Sequence, residues 1–306
     1  MPNPHKYRLL RELEARFGAI KKLEGSLSLF SIGETDTRVY LRYSKIHGGS
    51  RSFFGLREVD LRKLEGHNSY ICFILDDDSP PVFVPFADFE EIFRNSQTAL
   101  DGQHKVQLLR SGRDLQLYVS RQGRFNVEAY VGIDSIAKSV SGRLLGVMPA
   151  LSHSDVQTLL GGIGSLKGYD VWIPASDCGR LQWSLTGEFK PMPRIPEGYD
   201  EVSHILSEID VVWVKQGGNA IEGLFEVEHS TSIYSGLLRF NDLLLTNPKL
   251  SHFSIVSDDN RRSVFARQLY RPTFQRSGLS ELTSFLDYRN VYDWHSRLAS
   301  IGTTSQ

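Results

Sequence analysis

Two short apolar runs broken by carboxylates constrain this chain more than any other feature. Ile209-Asp210-Val211-Val212-Trp213-Val214 is followed by the turn Lys215-Gln216-Gly217-Gly218-Asn219, and then by Leu224-Phe225-Glu226-Val227-Glu228-His229. Runs this short, rich in Val and bounded by Gly-Gly, predict two strands, over 205–214 and 220–228, joined as a hairpin. Asp210 interrupts an apolar run, which costs desolvation energy unless the carboxylate has a partner. Glu226 and Glu228 are two apart on a strand, so both point to one face with Cα atoms roughly 6.6 Å apart, while Phe225 and Val227 point into the core. Pairing the strands brings Asp210 to the glutamates across the sheet. Three converging carboxylates cannot all stay ionised in a cleft without a counter-charge, supplied by Mg²⁺ or by a Lys/Arg partner. Two other readings of the same residues remain open. Glu226 and Glu228 can form the solvent face of an edge strand with Asp210 as a cap. A glycosidase pair fits less well, because both glutamates approach from one side of the sheet.

The surroundings set the fold class. A helix is expected over 154–166, capped by Ser152 or Ser154, then a strand over 169–174. After the hairpin come a helix from Thr231 or Ser232 to about Leu245, a strand at 253–257 and a helix from Asp259 to Tyr270 stopped near Pro272. A last helix is expected over 279–298. This order describes an α/β (α+β) architecture, a mixed sheet flanked by helices. Upstream, a first helix within 6–24 precedes strands at 26–31, 38–43, 69–75 and 82–85, a helix at 86–95, and strands at 105–110, 114–120 and 125–130. That makes a β-rich N-terminal module. The Gly-, Ser- and Pro-containing segment 136–150 marks the boundary, giving domains of 1–145 and 146–306. Gly161-Gly162-Ile163-Gly164 lies inside a helix pattern and is expected to serve packing.

Thirty-five Lys and Arg against 36 Asp and Glu leave a net charge of −1, which argues against a generic polybasic nucleic-acid binder. The balance is uneven, with thirteen Lys and Arg against seven acids in residues 1–63. A phosphate-binding face is therefore best sought there. Arg42, Lys45, Arg51 and Arg57, interleaved with Tyr43, Phe53 and Phe54 around Gly48-Gly49, are its candidate DNA-contacting residues. A β-hairpin with both phenylalanines in the core explains the same segment. Only two cysteines, no apolar run of ~18–20 residues and no secretory leader pattern lead to the expectation of a soluble cytoplasmic protein without a membrane partner.

Asp210, the sixteen-residue step to Glu226 and the Glu226-Val227-Glu228 triplet resemble the PD-(D/E)XK nuclease core, in the variant whose Lys position holds Glu. Phe225–Arg239, Gly168–Pro174 and Tyr270–Phe274 resemble bacterial restriction-endonuclease-like proteins. The resemblance covers roughly residues 150–275. It implies a type II-like, metal-dependent deoxyribonuclease acting on double-stranded DNA, from a bacterial or archaeal cytoplasm. It also implies Mg²⁺, for which Mn²⁺ can substitute, held by Asp210, Glu226 and the Val227 carbonyl. Glu228 would bind a second metal or position and deprotonate the attacking water. Arg239, on the following helix, would reach a phosphate. A homodimer and a cognate DNA methyltransferase are implied as partners. The alternative implied by a Glu in the Lys position is a nuclease-fold protein that binds DNA or assembles without cutting.

Overall fold

The structure, a computed structural model, describes residues 3–23, 25–33, 37–48, 50–112, 114–137, 148–229 and 232–303. Contacts divide the chain into two compact units, Met1–Val147 and Met148–Gln306. Most of the Gly- and Ser-containing boundary segment lies outside the described residues, as do Gly49 and Thr231.

The first unit is layered. Its opening helix, Pro4–Phe17, starts where Asn3 Oδ1 accepts from the His5 and Lys6 amides, with proline in its first turn. Expected within 6–24, the helix ends earlier because Gly18 takes φ 88°. Ile20–Lys22 is instead strand β1. β1 joins β2 (Leu29–Ile32), β3 (Thr37–Tyr43), β6 (Ser69–Ile74) and β7 (Val82–Pro85) in a mixed sheet ordered β1-β2-β3-β6-β7. A second, antiparallel sheet is ordered β10-β9-β8-β5-β4. It is built from β4 (Ile46–His47), β5 (Arg51–Arg57), β8 (Gln103–Ser111), β9 (Asp114–Val119) and β10 (Gly123–Asn126). Leu9 and Leu13 of the helix pack with Ile32, Val39, Leu41 and Cys72 on one face of the mixed sheet. Tyr40, Ile71 and Phe73 on its other face meet Phe54, Val106, Leu108 and Leu117 of the antiparallel sheet. The mixed sheet is thus covered on both sides. The antiparallel sheet alternates strictly, with Val106, Leu108, Leu115, Leu117 and Val119 buried and the residues between them facing outward.

β4 and β5 form the expected hairpin, but only Phe54 is in the core; Phe53 is 51% exposed on the outer face. The run Asp76–Pro80 is turn chemistry. Asp77 accepts from the Ser79 amide and hydroxyl and pairs with Arg110, and Asp76 caps the Ile46 amide.

The second unit carries the carboxylates. Its sheet is ordered β11 (Tyr169–Trp172), β12 (Val211–Lys215), β13 (Ile221–Val227), β14 (Phe253–Ser257) and β15 (Thr283–Asp287). β11, β12 and β13 pair antiparallel, and β13, β14 and β15 pair parallel. Val171, Trp213, Phe225, Val227 and Val256 pack on one face with helix His153–Leu166 and with Val291 and Trp294 of helix Tyr288–Thr303. Val212, Leu224 and Ile255 pack on the other with Leu237, Phe240 and Leu243 of helix Ile233–Thr246. These are the mixed sheet and flanking helices expected of an α+β chain.

Three expectations in this unit are corrected. The strand expected over 205–214 begins only at Val211, after the short helix Ser203–Leu206. Pro272 does not merely stop a helix; it stands in the first turn of another, Pro272–Ser277, where its missing N–H costs nothing. The helix expected over 279–298 is really a short helix, Leu279–Leu282, then strand β15, then helix Tyr288–Thr303.

The glycines at 161, 162 and 164 do serve packing. A Cβ on Gly164 would lie 2.5 Å from Trp213 Nε1 and 3.0 Å from Val171 Cγ2, in a helix seated directly on the sheet. Overpacking at such a contact costs about 1–3 kcal/mol, more than the roughly 1 kcal/mol that alanine gains over glycine in a helix. Gly164→Ala is therefore expected to lower stability in urea denaturation; an unchanged or raised midpoint would show that the helix can lift off the sheet.

Candidate active site

Asp210, Glu226 and Glu228 line one cavity of about 570 Å³, together with Val227, His153, His229, Ser232, Ser235 and Arg239. The hairpin explains why. β12 and β13 pair with Val211 opposite Phe225, so Asp210, just ahead of β12, falls opposite Glu226 at the end of β13. The Val227 amide donates to Asp210 Oδ2 at 2.7 Å, which fixes the carboxylate against the strand. Asp210 Oδ1 is 3.4 Å from His153 Nε2. Its backbone carbonyl accepts from Gln157 Nε2 at 2.9 Å.

Glu226 and Glu228 share the face packed by helix Ile233–Thr246 and are both buried, at 1% and 2% exposure. That excludes the solvent-face reading. Gly236 makes the burial possible: a Cβ there would be 2.8 Å from Glu228 Oε1, 3.1 Å from Ile255 Cδ1 and 3.3 Å from Glu226 Cβ. Gly236→Ala is expected to keep the fold, since a carboxylate end can swing aside, but to displace Glu228 and change any activity that depends on it. Circular dichroism together with a cleavage assay checks this. Wild-type cleavage in the variant would remove Glu228 placement from the account.

Charge compensation is supplied by Arg239. Its Nε and Nη2 donate to the two oxygens of Glu226 at 2.6 and 2.8 Å, a bidentate pair, and Nη2 is 4.0 Å from Glu228 Oε1. Burial pushes the Glu226 carboxyl up, to about 8, with the Asp210 and Glu228 charges adding to the rise against the pull of Arg239. The contact with Glu226 in turn holds the Arg239 proton more firmly than usual. The bond to Asp210 raises the His153 pKa, so this imidazole carries positive charge beside the carboxylates at a higher pH than a free histidine.

Arg239, expected to reach a phosphate, is therefore placed as the partner of Glu226. His153 and Ser235 were not expected at all, and Ser232 only as a helix cap. His153 is the first residue of a helix whose cap, Ser152, forms a capping box with Asp155. The cap fixes where the helix begins, and that start puts the imidazole beside Asp210. Asp155 is used up in this cap, and Gln157 acts through the Asp210 backbone. His229 stacks on Tyr288 and its Nδ1 is 3.0 Å from the hydroxyl. Arg42, Lys45, Arg51 and Arg57 belong to the first unit. There the Arg42 guanidinium lies 5.4 Å over the Tyr40 ring and Arg57 pairs with Asp60, while Lys45 and Arg51 are exposed.

The three carboxylates of Asp210, Glu226 and Glu228 are oxygen donors of the kind a hard divalent cation takes, in a cavity that His153 and His229 also line. Among the described residues, no three His, Cys, Asp or Glu side chains are gathered closely enough to hold an ion as they stand. Arg239 occupies the Glu226 oxygens, so a cation and the guanidinium compete for that carboxylate.

A mixed α/β sheet with a carboxylate cavity at its strand ends is the setting in which the comparisons with known proteins fall. Residues 143–300 match the family described as the type II restriction enzyme NmeDI C-terminal domain, and the chain belongs to that family. It is 26% identical, over 153 residues, to the type II restriction enzyme NmeDI of Neisseria meningitidis serogroup C. The aligned stretch makes up 47% of this chain and 42% of that relative, so the match spans about two-fifths of the relative's length. No solved structure matches the chain. No helix among the described residues is long and apolar enough to cross a membrane.

Proposed function

We propose that this protein is a restriction-type endonuclease that hydrolyses phosphodiester bonds in double-stranded DNA with Mg²⁺, on a PD-(D/E)XK core of the Glu-x-Glu kind. The observation that carries the reading is the meeting of Asp210, Glu226 and Glu228 in one cavity, at the ends of adjacent strands in a family named for a restriction enzyme. Asp210, Glu226 and the Val227 carbonyl would hold the ion; Mn²⁺ is a chemically reasonable substitute. When bound, the cation supplies Lewis-acid stabilisation of the phosphate and lowers the pKa of a bound water. Glu228 would orient the attacking water and take its proton. His153 holds Asp210 in orientation. Cutting both strands of a duplex takes two such sites, which a two-fold homodimer provides, and a cognate methyltransferase is the partner that would protect host DNA. The domain roles follow: 1–145 for target contact, 146–306 for chemistry.

The test is incubation of the purified chain with unmethylated and methylated phage DNA, in Mg²⁺ or in EDTA. Discrete fragments that require Mg²⁺ are expected. Binding without cleavage on every DNA would replace this reading by that of a nuclease fold kept for binding or assembly.

A further inference from the structure

The antiparallel sheet of the first unit has an uncovered face whose chemistry suits a sugar–phosphate backbone. Register places Phe53, Gln107, Tyr118 and Arg124 in one row across β5, β8, β9 and β10, and Arg51, Leu109, Gln116 and Asn126 in the next. In β5, β8 and β9 these positions alternate with buried ones, and in β10 Arg124 and Asn126 are exposed on either side of Phe125, which packs partly buried against the core. A solvated sheet face usually mixes charges of both signs, with ion pairs between them. This one differs in three respects. It forms a concave depression of about 510 Å³. The Arg51 and Arg124 guanidiniums, at opposite sides of that depression, make no hydrogen bond or ion pair among the described residues. Asp114, the acid in its lining, is engaged with Gln116 Nε2 at 2.8 Å. The strands carrying the two guanidiniums are three strand spacings apart, about 14 Å, with amide and phenol donors between them.

We propose that this face cradles the backbone of duplex DNA: Arg51 and Arg124 on phosphates, Gln107 and Tyr118 donating to phosphate oxygens between them. Arginine, glutamine and tyrosine are the side chains that make such positioning contacts, which set register and orientation without reading bases. The choice of DNA as occupant rests on the proposed nuclease activity and on the charge complementarity of two unpaired guanidiniums. The surface itself is distinct from the carboxylate cavity. It also revises the basic candidates drawn from sequence, keeping Arg51, adding Arg124 and dropping Arg57, which is paired with Asp60.

The experiment measures binding of the full chain to a fluorescent 30-base-pair duplex of mixed sequence, by anisotropy in EDTA across a salt series. Each phosphate contact adds about 0.9 to the slope of log affinity against log salt. Arg51→Ala/Arg124→Ala is expected to lower that slope by about 1.8 and to weaken binding roughly tenfold at moderate salt, with unchanged thermal stability. Tyr118→Phe tests the phenol donor, and Arg57→Ala serves as the control expected to bind as wild type. A double variant with wild-type affinity and slope would overturn the proposal, as would tighter binding of the single-stranded form of the same oligonucleotide. Because EDTA separates binding from cutting, loss of cleavage alone bears on the carboxylate site. Loss of the salt slope in the arginine variant bears on this face.

Discussion

Asp210→Asn is expected to reduce Mg²⁺-dependent cleavage of duplex DNA by at least about 10²–10³-fold, the cost of removing one preorganised group that stabilises transition-state charge. The substitution is nearly isosteric. Its amide oxygen can still accept the Val227 amide, which now bonds Asp210 Oδ2 at 2.7 Å. The Gln157 bond goes to the backbone carbonyl and is untouched. What is lost is the negative charge that faces His153 and the cavity. Stability should stay within about 1 kcal/mol, the worth of a typical hydrogen bond, so loss of cutting with an intact denaturation midpoint isolates the charge. Metal binding supplies a second readout: calorimetric titration with Mn²⁺ should show weaker uptake than in wild type. An Asp210→Asn protein that cuts at the wild-type rate would remove the carboxylate cavity from the chemistry altogether.

The largest stability effect is expected at Arg239. Its guanidinium is the bidentate partner of a glutamate that is 1% exposed. Breaking a buried pair from one side costs about 3–5 kcal/mol where the remaining group stays ionised. Glu226, already pushed up to about 8, takes a proton instead at neutral pH, so the full loss is expected only above that pH. The guanidinium side chain is 28% exposed, so the lower end of that range applies. Arg239→Met keeps the aliphatic stem and removes the charge, which separates electrostatics from packing. Two companion measurements make the assignment specific. Adding Glu226→Gln to Arg239→Met should recover much of the lost stability, since no ion then remains to be compensated. Mg²⁺ should raise the melting temperature of Arg239→Met more than that of wild type, because the cation no longer competes with a guanidinium. If the single variant is as stable as wild type, or the double variant less stable than the single, Arg239 is not the counter-charge.

Much of this site could be read from the chain before any coordinates. Period-two alternation put Glu226 and Glu228 on one face, and the apolar run around Asp210 demanded a partner for its carboxylate. The identity of that partner could not be read, because a strand-to-helix pair thirteen residues apart leaves no periodic trace. A cation and an arginine satisfied the sequence equally. His153 was hidden for a similar reason: its place follows from where the Ser152 cap starts a helix and from how that helix crosses the sheet. Strand β15 was misread as helix because Leu282, Phe285 and Leu286 have helical spacing, and a parallel strand covered on its faces shows no alternation. The outer sheet face of the first unit needed the strand register, which brings residues from 51 to 126 into two rows.

Part of the charge compensation is local. Both glutamates, Asp210 and the arginine that offsets them fall within residues 210–239, a hairpin and the helix after it. Such a segment brings its acids and its neutralising base together over short loops, before the parallel strands β14 and β15 need be in place. An emerging chain thus need not wait for distant strands to give Glu226 its counter-charge, while the partner of Asp210, His153, is already synthesised. Fusing further domains to either end, or exchanging the unit before residue 148, leaves the Glu226–Arg239 pair already in place.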